Sequence, residues 1–174
     1  MMHNNAKYLI DSNTLITPYN MYYPFDLAPK FWEKLKNEID NGCLCIPDMV
    51  KNEVAKGKDE LSDWINTIDN TLIFSVKVPD VMVKYSEILT YVQTCGYYKQ
   101  DAVTNWSRKE IADAWIIATA SVHGLTVITQ EVSNGNLNTT NKARNAKIPD
   151  ICKQFNVPCG DLFYMMRQLP LKIT

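Results

Sequence analysis

The stretch Ile111-Ala112-Asp113-Ala114-Trp115-Ile116-Ile117-Ala118-Thr119-Ala120-Ser121-Val122-His123-Gly124-Leu125-Thr126-Val127-Ile128-Thr129-Gln130-Glu131 decides the fold class. Its first part is apolar nearly all round, which predicts a helix over 108–123 that is buried on most of its surface, with Ser107 as its cap. Gly124 ends that helix. Residues 125–129 then form a short run with β-branched positions, the pattern of a strand covered on both faces. Asp113, His123 and the break at Gly124 exclude a membrane span, although this is the longest apolar stretch in the chain.

Outward from this unit the hydrophobic period keeps switching between strand and helix, the mark of an α/β domain. Strands are expected at 7–11, 43–46, 72–76 and 157–159. Helices are expected at 28–40, 47–56, 58–69, 79–96, 149–155 and 161–169. Pro29 sits near the first turn of the 28–40 helix and Asn41-Gly42 stops it. The 58–69 helix carries Leu61, Trp64, Ile65 and Ile68 at helical spacing. Residues 97–107 read as a polar connection. Residues 133–147 read as a long Asn-rich loop, a length that usually means function or mobility. Five short strands interleaved with helices predict a three-layer α/β/α sandwich around a central five-stranded parallel sheet. One domain is expected over 1–174, with its core at about 7–169.

Composition bounds the function. The 174 residues carry 18 basic and 19 acidic side chains, a net charge of −1. Overall basicity therefore cannot hold a polyanion; a local patch or a bound metal must. A hydrophobic share of 46 % excludes a disordered tail. A chain of this size hides roughly 70 % of its unfolded surface, enough for a core without staples. Residues 1–5 lack the layout of a secretion signal. The five cysteines, Cys43, Cys45, Cys95, Cys152 and Cys159, include no Cys-x-x-Cys pair. They read as reduced, buried, inert thiols of a cytoplasmic protein rather than zinc ligands.

Four acids stand where a parallel sheet binds ligands, beyond the carboxyl ends of its strands. Asp11 ends the first strand, and Glu131 lies just past the fourth. Asp113 lies in the apolar helix, where an ionised carboxylate is costly unless a cation or several donors meet it. A first-turn acid paired with Arg108 or Lys109 is the other reading of Asp113. Glu53, in the helix after the second strand, reads singly as a surface acid. Together the four would repel one another unless cations sat between them. Hard cations such as Mg2+ or Mn2+ take oxygen ligands, and such a cluster suits phosphodiester hydrolysis.

With these residues, the sequence resembles the PIN-domain nucleases. The resemblance rests on Tyr8-Leu9-Ile10-Asp11-Ser12-Asn13-Thr14-Leu15-Ile16, on Glu53, on Ala112-Asp113-Ala114-Trp115-Ile116-Ile117-Ala118, and on Gly124 to Glu131. The segments around Tyr22-Tyr23-Pro24-Phe25-Asp26, Ile148-Pro149-Asp150-Ile151-Cys152 and Val157-Pro158-Cys159 are similar to a prokaryotic PIN subgroup of unassigned function. The resemblance implies a metal-dependent endoribonuclease, in many relatives the toxin of a toxin–antitoxin pair restrained by a small antitoxin, and commonly a homodimer. It implies that Asp11, Glu53, Asp113 and Glu131 bind Mg2+ or Mn2+ and catalyse, with Asn13 and Thr129 as polar neighbours. Many relatives carry an aspartate as the fourth acid, one position earlier than Glu131.

Lys142, Arg144 and Lys147 lie in the acid-free loop after Glu131, where they either contact RNA phosphates or are simply solvated. Tyr19, Tyr22, Tyr23 and Phe25 either stack on unpaired bases or pack as a lid over the first helix. His123 reads as a helix C-terminal residue favoured by the dipole, not as a catalytic base. Three other readings remain at this point. One is a non-catalytic PIN-like module binding RNA or protein. Another is DNA cleavage. The third is a phosphatase with Asp11 as nucleophile, which the Asn at position 13 disfavours.

Overall fold

The computed structural model describes residues 7–108, 111–169 and 171. Its strands are β1 (Tyr8–Ile10), β2 (Leu44–Pro47), β3 (Ile73–Phe74), β4 (Thr126–Ile128) and β5 (Cys159–Gly160). The helices are α1 (Asn13–Met21), α2 (Pro29–Asp40), α3 (Asp48–Val54), α4 (Glu60–Asn66), α5 (Pro79–Thr94), α6 (Gln100–Trp106), α7 (Asp113–His123), α8 (Ile148–Gln154) and α9 (Leu162–Gln168). The strands form one five-stranded sheet in the order β3-β2-β1-β4-β5. Every pairing is parallel, and Leu9 lies opposite both Cys45 and Val127. This is the expected helix–sheet–helix sandwich. The order places β1 between strands reached in opposite directions along the chain. The switch point therefore falls between the carboxyl ends of β1 and β4, where open α/β sheets place their ligands.

The core follows from the sequence pattern. Leu9, Ile10, Ile46, Val127 and Ile128 are fully buried in the sheet, as are Ala114, Ile116, Ile117 and Ala118 of α7. A helix apolar on all sides needs cover on all sides. α7 finds it against α5, α8, β1 and β4. At its end, Gly124 adopts the left-handed conformation at φ 66°, and Leu125 N–H donates to Ala120 O at 3.0 Å. Among the described residues no helix is long and apolar enough to cross a membrane.

Several expectations need correction. α7 begins at Asp113, not at 108, and Ser107 is not its cap. Ser107 instead closes α6, its hydroxyl donating to Val103 O at 2.8 Å. Lys109, a suggested partner of Asp113, lies outside the described residues. The polar connection at 97–107 contains α6, which buries Ala102 and Trp106. A helix was also not expected at 13–21, where Pro18 and the two β-branched threonines argue against one; α1 nonetheless packs on α4. The cysteines are free but not all buried: Cys159 is exposed, and Cys43 and Cys95 are half-buried.

Of the aromatic residues after α1, Tyr23 and Phe25 pack against the core as a lid, whereas Tyr22 is exposed. Phe25 stacks on Trp32 at 4.5 Å, Tyr23 lies 4.5 Å from Phe31, and Trp32 Nε1 donates to Tyr23 O at 2.7 Å. The long loop after β4 contains no helix or strand between Ile128 and Ile148, yet several hydrogen bonds tie it down. Asn134 Nδ2 donates to Asn145 O and to Asp150, and Ala143 bridges to Tyr98.

Candidate functional site

The end of β1 carries the first acid into the switch point. Asp11 N–H donates to Ile128 O at 2.9 Å, extending the ladder with β4 by one residue, and Asp11 is only 4 % exposed. Its Oδ2 accepts from Thr129 Oγ1 at 2.9 Å. That same hydroxyl accepts from Glu131 N–H at 3.1 Å. Thr14 Oγ1 donates to Ile128 O at 2.8 Å, which fixes the start of α1 against β4. Ser12, buried beside Asp11, donates from Oγ to Glu53 Oε2 at 2.7 Å and so joins α3 to the β1 end. Glu53 itself is exposed.

Asp113 enters from the other side, as the first residue of α7, where the helix dipole favours an anion. It is half-buried, and no described residue hydrogen-bonds to its carboxylate. Asp113 is a shared wall of two clefts. One, of about 590 Å³, also has Glu53, Lys56, Lys77 and Trp115 in its lining. The other, of about 300 Å³, has Glu131, Lys147, Arg108 and Asn105.

Glu131 is held differently from the other three. Lys147 Nζ lies 2.5 Å from its Oε1, and Ile148 N–H, at the start of α8, donates to its Oε2 at 2.8 Å. Both carboxylate oxygens therefore already have a partner.

The electrostatics tie the four together. Burial is the main cause that raises Asp11 to about 6; repulsion from Glu131 and Glu53 adds to it, and the hydroxyl of Thr129 opposes it. Burial also leads in raising Asp113 to about 7, followed by repulsion from Asp11, Glu131 and Glu53, with Lys147 opposing. Two carboxyls displaced upward by burial and by neighbouring carboxylates mark a site that a cation would relieve. The donor chemistry fits a hard divalent ion, being all oxygen and all acidic. Among the described residues no three such side chains are grouped so as to hold a metal ion as they stand, and donors from the protein already engage Asp11, Glu53 and Glu131.

Of the other sequence-derived candidates, Thr129 is in place beside Asp11. Asn13 is exposed at the start of α1 and bonds to none of the acids. Lys147 reaches the site through Glu131, whereas Lys142 and Arg144 are exposed and line neither cleft at Asp113. Sequence reasoning missed Ser12, Lys56 and Lys77, and saw in Arg108 only a neighbour of Asp113. They come from four separate segments, so no local pattern could have joined them. His123 lies at the far end of α7, ten residues or about 15 Å from Asp113, with its ring 4.9 Å from Phe74. It takes no part in the acid cluster.

The arrangement is similar in fold to solved VapBC structures. DNA-bound VapBC from Salmonella typhimurium matches with a TM-score of 0.51 at 13 % identity, covering 90 % of this chain and 98 % of that one. VapBC2 from Rickettsia felis, bound to a DNA fragment from their promoter, matches with a TM-score of 0.51 at 14 % identity, covering 88 % and 97 %. These likenesses concern the fold, which is PIN-like. No curated protein sequence matches the chain. The family model described as a domain of unknown function (DUF4411) matches residues 8–173, nearly end to end, and the chain belongs to that family.

Proposed function

We propose that the protein is a metal-dependent endoribonuclease in which Asp11, Glu53, Asp113 and Glu131 hold Mg2+ or Mn2+ and carry the reaction. The observation behind this reading is the set of four carboxyls around the switch point, two of them raised by burial and by repulsion from neighbouring carboxylates. When bound, the ion supplies Lewis acidity at the phosphate and an activated water. Asp113 and Asp11 provide the charge that draws the ion in. Thr129 keeps Asp11 oriented, and Ser12 does the same for Glu53. Lys56 and Lys77 on one side of Asp113, with Arg108 on the other, are placed to meet the phosphates flanking the scissile bond. Lys142 and Arg144 lie further out along the strand's path, and Lys147 serves chiefly to neutralise Glu131.

By the pairing in the fold neighbours, the proposed partner is a small antitoxin, and a homodimer is the proposed assembly. The test is cleavage of a single-stranded RNA with Mn2+ or with a chelator, with the matching DNA alongside. The expected result is Mn2+-dependent cleavage of RNA that falls at least 100-fold in Asp113→Asn. Cleavage of DNA in preference to RNA would move the substrate to the other nucleic acid. RNA binding without cleavage would favour a non-catalytic module.

A further inference from the structure

Asp113 and Glu53 share their cleft with side chains that neither bind the ion nor meet a phosphate. The cleft, of about 590 Å³, lies within the range of small-ligand sites. Its walls join the apolar surfaces of Met49, Ile111 and Trp115 to the polar ends of Asn52, Lys56 and Lys77. Met49, Asn52 and Glu53 fall at i, i+3 and i+4 of α3, so one stripe of that helix carries an acid and an amide together. Asn52 is exposed, and no described residue hydrogen-bonds to its carboxamide. Trp115 lines the same cleft and is only 8 % exposed, its ring stacked on Tyr85 of α5 with centroids 3.8 Å apart and planes 13° from parallel. Its Nε1–H is buried and has no hydrogen-bond partner among the described residues. A phenylalanine would supply the stack and the apolar bulk without that donor. A buried donor left unpaired destabilises the fold, and an acceptor on a ligand removes the penalty.

We propose that this cleft holds a purine base of single-stranded RNA beside the scissile phosphate, with Asn52 and Trp115 Nε1 reading the base edge. The proposal rests on the nuclease reading above and names the base preference of that site. Single-stranded RNA offers its bases unpaired, with both edge and face open to side chains. Both purines present N7 as an acceptor, guanine adds O6, and adenine pairs bidentately with a carboxamide through N6 and N7. A pyrimidine carries a C–H where N7 would lie, and it offers a smaller face to Met49 and Ile111. The stack on Tyr85 holds the indole in one orientation, so its donor is set before the base arrives. Lys56 and Lys77 border the same cleft and take the adjoining phosphates, which positions the strand without reading it.

The test has two arms. In the first, 1H–15N spectra of the full, metal-free chain are recorded with adenosine, with guanosine and with uridine. Nucleosides carry no phosphate, so this arm is independent of the ion and of cleavage. The chain has four tryptophans, and the indole signal missing from Trp115→Phe is that of Trp115. The expected result is a saturable shift of this signal by both purine nucleosides, with at least tenfold weaker affinity for uridine. Purine affinity should fall at least fivefold in Asn52→Ala, an exposed position whose truncation leaves the fold intact. No shift of the Trp115 signal, or equal affinity for uridine, overturns the proposal. In the second arm, Mn2+-dependent cleavage is mapped on uridine RNAs that each carry one adenosine or one guanosine. The kcat/KM beside the purine should exceed that at uridine linkages at least tenfold, and the ratio should drop to threefold or less in Asn52→Ala and in Trp115→Phe. Cleavage without base preference overturns the proposal and leaves the nuclease reading standing. Purine binding at Trp115 with no cleavage of any RNA supports the base site and counts against the nuclease reading instead.

Discussion

Asp11 shows at the scale of one residue what the site costs the fold. Its carboxyl ordinarily titrates at 3.8, and in the folded protein at about 6; Asp113 reaches about 7. The fold thus holds these protons more tightly than the unfolded chain does. Their contribution to stability is fully present below pH 3.8 and is lost as the pH rises from there through 6 to 7. Asp11→Asn removes that loss while leaving an oxygen to accept from Thr129. In metal-free protein at pH 7.5 the variant should be more stable by on the order of 2 kcal/mol, read by urea unfolding, with the gain vanishing near pH 4. Lower stability of the variant at pH 7.5 would contradict the assignment. Asp11 itself was legible in the sequence, because an acid ending an apolar strand has one place to go. The Ser12–Glu53 and Lys147–Glu131 contacts were not, since each joins segments whose approach depends on the whole topology.

At the scale of elements, Glu131 is the residue that joins strand to helix. It follows β4, accepts from the first amide of α8 and pairs with Lys147, with 15 % of its own side chain and 32 % of the lysine's exposed. Such an anchor combines an orphan amide satisfied at a helix start with a half-screened ion pair. Glu131→Ala should lower stability by about 1–2 kcal/mol, whereas Glu53→Ala, at an exposed position, should change it by less than about 0.5 kcal/mol. Equal effects in thermal or urea melts would remove the anchoring role. The long apolar or β-branched runs, such as α7 with β4, were readable because their period matches their burial. α6 was not: Gln100–Trp106 is mostly polar and buries only Ala102 and Trp106, too few positions to show a helical stripe. The start of α7 was misplaced for a related reason. Ser107 is a good cap by type, but its hydroxyl was already committed to the helix before it.

For the whole molecule, near-neutral charge conceals strong local segregation. The acids gather at the switch point of the sheet, while Lys56, Lys77 and Arg108 border the clefts on either side of Asp113. A polyanion would meet this surface favourably only when the central negative charge is offset, so the proposed nuclease reading requires nucleic-acid binding to depend on the ion. The sheet order explains why the acids converge although they are spread from residue 11 to residue 131: a 3-2-1-4-5 arrangement brings the ends of the first and fourth strands side by side. The measurement that bears most directly on this account is calorimetric titration of Mn2+ into the full chain at pH 7, beside Asp11→Asn/Asp113→Asn. The account predicts saturable binding to the wild-type protein, accompanied by proton release because Asp11 and Asp113 are partly protonated there, and loss of that binding in the double variant. Equal Mn2+ binding by both proteins, or none by either, would contradict it.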